Sequence, residues 1–107
     1  MAEPIDRRRS ARQEVKIEVV LRSTDEAGRD FFDRSEVISV DRNGARLRTR
    51  FQLKIGSEFE LQLPGENETK RMRVVWRGDV GSFEAGVVGA EFVNPIESWD
   101  DKTLQTR

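Results

Sequence analysis

Hydrophobic and polar residues alternate with a period of two along most of this chain. From Glu14 to Arg22, Val15, Ile17, Val19 and Leu21 share one face, and Glu14, Lys16, Glu18 and Arg22 share the other. That pattern predicts a strand with one buried side, and only Val20 breaks it. Phe31 to Val40 is a second strand region, with Ile38 and Val40 expected on one side and Val37, Ser39 and Asp41 on the other. Ala45, Leu47, Thr49 and Phe51 then alternate with Arg46, Arg48 and Arg50, a third strand with a basic face. Phe59, Leu61 and Leu63 against Glu58, Glu60 and Gln62 make a fourth with an acidic face. Met72, Val74 and Trp76 alternate with Arg71, Arg73 and Arg77 in a fifth, and Gly86 to Val93 is a sixth.

Turn signals separate these segments: Thr24–Asp30, Asn43-Gly44, Ile55-Gly56, Pro64–Asn67 and Gly78–Gly81. Asn43-Gly44 is expected to turn through positive φ, which both residues tolerate. Gly86 and Gly89 inside the sixth segment suggest a bulge or a sharp bend. The Arg face of the third strand and the Glu face of the fourth are expected to lie side by side as cross-strand pairs, which accounts for Arg46, Arg48 and Arg50 without a ligand. Asn94-Pro95-Ile96-Glu97 reads as a helix start, with Asn as cap and Pro at the first helical position. Ile96, Trp99 and Leu104 would form its apolar stripe, Trp99 serving as a packing anchor.

Six short alternating segments indicate an all-β fold, and closure into an antiparallel barrel removes the exposed edges of so small a sheet. The expected architecture is a six-stranded antiparallel β-barrel with a short C-terminal helix. At 107 residues the chain fits one domain. Residues 1–13 are assigned to an arm, 14–93 to the barrel and 94–107 to the helix and tail.

Composition narrows the chemistry. Charged residues make up 36% of the chain, yet 19 basic and 20 acidic side chains leave a net charge of −1. Bulk attraction to nucleic acid is therefore not expected, and any anion site must come from local clustering. A single-stranded nucleic acid binder using Arg46, Arg48, Arg50 and the aromatics is the weaker reading, because the charge is balanced and Tyr is absent. The chain contains neither His nor Cys, so structural zinc and the common nucleophile–base pairs are excluded. No catalytic residue, metal site or cofactor is expected, and the chain is not read as an enzyme. No apolar run is long enough to span a membrane, and residues 1–6 lack the apolar core of a signal peptide, so the protein is expected in the cytoplasm.

The strongest local cluster is Arg7-Arg8-Arg9-Ser10-Ala11-Arg12, just before the first strand. Guanidinium groups are always charged and present a planar donor fork that matches phosphate oxygens and the O6/N7 edge of guanine. The plainer reading is a solvated basic arm with loose affinity for any polyanion. A second element, Ser39-Val40-Asp41-Arg42-Asn43-Gly44, ends the second strand.

An R-R-x-x-x-R arm, a strand, a second strand closing in an N-G-A-x-L turn, then further strands resemble the PilZ domain family across nearly the whole chain. Arg7, Arg8 and Arg12 fall on the first family motif, with Arg8 and Arg12 as its R-x-x-x-R core. Gly44, followed by Ala45-Arg46-Leu47, falls on the glycine of the second motif, D/N-x-S-x-x-G. Val74-Val75-Trp76 and Gly89-Ala90-Glu91-Phe92 are similar to the family's last strands. The chain departs from the second motif at two positions: Ser39 stands where Asp or Asn is expected, and Asp41 where Ser is. The resemblance implies a receptor for cyclic di-GMP, with Arg7, Arg8, Arg12, Ser39, Asp41 and Gly44 as ligand-binding residues. It further implies an arm ordered by the ligand and an unidentified effector protein as partner. The exchanged pair leaves open a PilZ-like protein-interaction module that does not bind the nucleotide.

Overall fold

The computed structural model describes residues 12–24, 28–51, 53–65 and 69–99. Six strands run in chain order: β1 Gln13–Thr24, β2 Asp30–Val40, β3 Gly44–Arg48, β4 Glu58–Gln62, β5 Thr69–Arg77 and β6 Val87–Phe92. All pairings are antiparallel, and the strands close into a barrel in the order β1-β2-β3-β6-β5-β4, with β4 returning to β1. The predicted six-stranded all-β barrel is the observed one.

The period-two pattern fills the interior. Ile17, Val19 and Leu21 of β1, Phe59 and Leu61 of β4, and Met72 and Val74 of β5 all lie inside the barrel, with Leu63 just beyond β4. Val20 points out and is 38% exposed, as its place off the pattern predicts. Each fully buried Leu, Met or Phe contributes roughly 1.5–3 kcal/mol by leaving water. Trp99 closes one end, its ring centroid 5.0 Å from that of Phe92.

Four expectations are corrected. In β2, Val37 and Val40 both point inward, because Ile38 is an extra residue against β3 that resets the alternation. The Arg face of β3 does not meet the Glu face of β4: β6 and β5 stand between them. The acidic face of β4 pairs instead with β5, where Arg71 contacts Glu58 and Glu60, and Arg73 contacts Glu58. β6 begins at Val87, and Gly86 precedes it in a turn at φ 86°. Finally, no helix occurs among the described residues. Asn94 does cap a turn, its Oδ1 accepting from Ile96 N at 3.2 Å and its carbonyl accepting from Glu97 N at 3.0 Å. Ile96 is 85% exposed and shares no stripe with the buried Trp99. The remainder of the predicted helix, 100–107, lies outside the described residues.

Candidate functional site

Three strand registers place one residue from each of four neighbouring strands in a row across the outside of the barrel. Ser39 of β2 faces Arg46 of β3, Arg46 faces Gly89 of β6, and Gly89 faces Trp76 of β5. Directly paired residues on antiparallel strands point to the same side, so these four share a surface. Val75 is an extra residue on β5 at this point. It turns Trp76 out of the inward alternation set by Met72 and Val74, and the ring becomes part of the outer face.

Trp76 packs directly over Gly89. The Cβ and Cε3 atoms of Trp76 lie 3.5 Å from where a Cβ on Gly89 would stand. The indole lies across β6 and reaches Arg46, whose guanidinium carbon sits 4.6 Å from the ring centroid. This cation–π contact contributes about 0.5–1 kcal/mol at a half-exposed position. Arg46 also meets Glu84 of the β5–β6 loop, Nη1 to Oε2 at 3.4 Å.

One edge of this surface is the turn between β2 and β3. Asp41 Oδ1 accepts from the backbone N–H of Asn43 at 2.8 Å and of Gly44 at 2.9 Å, while Asp41 N donates to the Gly44 carbonyl at 3.0 Å. This is an Asx turn, in which a short carboxylate caps backbone donors that the sheet leaves unpaired. Neither Asn43 nor Gly44 adopts positive φ, contrary to expectation. Gly44 is required for a different reason. A Cβ there would stand 1.9 Å from the Ala90 carbonyl oxygen and 2.7 Å from Glu91 Cα. The requirement is close approach of β3 to β6, not a left-handed turn. The Gly44 carbonyl also accepts from the buried Trp99 Nε1 at 3.0 Å, tying the turn to the residue that closes the barrel.

A cleft of about 190 Å³ opens over this region. Arg12, Ser39, Asp41 and Gly44 line it together with Arg46, Trp76 and Glu91. Of the residues singled out in the sequence, the fold therefore gathers Arg12, Ser39, Asp41 and Gly44 on one concave surface. Arg7 and Arg8 lie outside the described residues. Ser39 is 5% exposed, and its Oγ has no hydrogen-bond partner among the described residues. A buried hydroxyl of this kind normally has one. Sequence reasoning missed Arg46, Trp76 and Glu91. Arg46 was explained as one of a basic face, and Trp76 as an inward residue. Only the extra residue at Val75, which leaves no trace in composition, distinguishes the outward ring from a core one.

A second polar feature lies towards the other end of β2. Asp33 faces inward with a side chain 1% exposed, and Arg50 Nη2 and Nε donate to its Oδ1 at 2.6 and 3.1 Å. These charge-assisted bonds hold the Asp33 carboxyl below its ordinary value of 3.8, against the opposing effect of burial. Among the described residues no group of three or more acidic side chains is placed to hold a metal. No helix among them is long and apolar enough to cross a membrane.

Neither the curated proteins nor the solved structures give a match to this chain. The family model described as PilZ domain matches residues 6–106. With the closed six-stranded barrel and the glycine-bearing turn beside the cleft, that match establishes that the chain belongs to the PilZ domain family.

Proposed function

We propose that this PilZ domain is a receptor and adaptor for cyclic di-GMP, acting in the cytoplasm, in which the ligand draws the arginine-bearing N-terminal segment onto the barrel and so signals to a partner protein. The observation that carries the reading is the cleft shared by Arg12 and the Ser39–Gly44 turn. Cyclic di-GMP presents two phosphates and two guanines. Arg12, with Arg8 four residues before it, supplies guanidinium forks for phosphate or for a guanine O6/N7 edge. Arg46 and Trp76 add flat faces against which a base stacks. Gly44 adds no side chain between the turn and the cleft. The partner then reads the repositioned segment.

Calorimetric titration of the full chain with cyclic di-GMP at low salt tests this. Micromolar or tighter binding is expected, with a loss of about tenfold or more in Arg12→Ala and in Arg8→Ala, the scale of one bidentate contact. Absence of heat at high micromolar ligand overturns the reading in favour of a PilZ-like interaction module that does not bind the nucleotide. The exchanged pair in the second motif motivates that alternative. It predicts that Ser39→Asp combined with Asp41→Ser creates binding where the parent has none.

A further inference from the structure

The exchange of Ser39 and Asp41 removes a carboxylate or amide from the place where the family motif puts one, and the fold indicates where its replacement stands. Guanine presents two parallel donors, N1–H and the 2-amino group, which a carboxylate accepts with its two oxygens. Ser39 offers a single buried oxygen, which cannot match two parallel donors one to one as the paired oxygens of a carboxylate do. One oxygen of the Asp41 carboxylate is already engaged: Oδ1 receives two backbone N–H groups at 2.8 and 2.9 Å, and these fix its orientation against the turn. The remaining carboxylate lining the cleft is Glu91. It is the one exposed residue of β6, and its backbone lies opposite Gly44.

We propose that Glu91 is the guanine acceptor of this domain, offering the paired carboxylate oxygens that Ser39 lacks. The inference rests on the cyclic di-GMP reading above. Glu91 follows Gly89 by two residues on β6, so it lies on the same face and about 7 Å along the strand. The Trp76 ring spans Gly89 and meets the Arg46 guanidinium. A base resting on this aromatic–guanidinium surface turns its Watson–Crick edge along β6, towards Glu91. Arg73, the cross-strand neighbour of Glu91, directs its Nη2 to Glu58 at 3.2 Å, and Glu91 borders both the cleft and a neighbouring hollow lined by Arg42 and Arg73. A carboxylate in a phosphate-binding cleft is otherwise unfavourable, and facing a base edge rather than a phosphate gives it a purpose.

The test is calorimetry on the full chain with two probes, cyclic di-GMP and its inosine analogue cyclic di-IMP, which lacks both 2-amino groups. Three proteins are compared: the parent, Glu91→Gln and Asp41→Asn. Glu91 is exposed and Asn can still cap the turn through its Oδ1, so both variants are expected to fold, as circular dichroism checks. The parent should prefer cyclic di-GMP to the analogue. Glu91→Gln should weaken cyclic di-GMP about tenfold and the analogue much less, which collapses the preference, while Asp41→Asn keeps it. If Glu91→Gln binds cyclic di-GMP within about twofold of the parent, or if Asp41→Asn is the variant that loses the preference, the assignment to Glu91 is overturned and the receptor reading stands. If the parent binds neither probe, both are overturned.

Discussion

At the scale of single residues, Gly44 is a position with very little freedom. A methyl group there would overlap the backbone of β6, and backbone gives way less readily than a flexible side chain. Gly44→Ala is expected to cost about 3 kcal/mol, at the upper end for overpacking, read as a lower urea midpoint with an unchanged slope. Trp99→Phe keeps most of the packing on Phe92 but removes the donor to the Gly44 carbonyl. Because that carbonyl still accepts from Asp41 N, the expected loss is only about 1 kcal/mol. Asp33 yields a pH prediction. Its carboxyl ionises more easily in the folded state than in the unfolded chain, so the stabilisation is present above its ordinary value of 3.8 and is lost as pH falls through the lower folded value. Between about pH 6 and about pH 2 the parent should therefore lose more stability than Asp33→Asn, and equal losses in urea titrations would contradict this. Gly44 was legible in the sequence as a required glycine, but its reason was not. Local sequence signals turns well, whereas the approach of β6, more than forty residues further along the chain, leaves no local mark.

At the scale of elements, the extra residues matter more than the strands themselves. Alternation located β1, β4 and β5 closely, because each has one buried and one wet face. It misassigned β2 and β5 at the points where Ile38 and Val75 enter, since one extra residue inverts every later position. Those are the places where the cleft is built. The β5–β6 loop is linked to the cleft through Glu84 and Arg46, an ion pair with both partners substantially exposed. An anionic ligand competes with Glu84 for that guanidinium. Glu84→Gln should therefore tighten cyclic di-GMP by up to about fivefold, the scale of an exposed pair, with no fall in melting temperature beyond a degree or two. A weaker affinity in this variant would mean that Glu84 orients Arg46 rather than competing for it.

At the scale of the whole molecule, ligand binding should stabilise the fold by mass action. A hundredfold excess of cyclic di-GMP over its dissociation constant adds about 2.7 kcal/mol, visible as a rise of several degrees in melting temperature. A parent protein that melts identically with and without ligand would contradict the proposed function. The chain by itself determined the all-β class, the number of strands and the family, because burial on one face writes a period of two and the family's motifs lie in continuous stretches. It also supplied the cleft residues Arg12, Ser39, Asp41 and Gly44 as candidates. Only the tertiary structure decided the strand order, which separates the basic face of β3 from the acidic face of β4, and brought Arg46, Trp76 and Glu91 to one surface. The physical reason is that strand neighbours in a closed barrel are set by long-range pairing and by inserted residues, and neither is encoded in the spacing of nearby side chains.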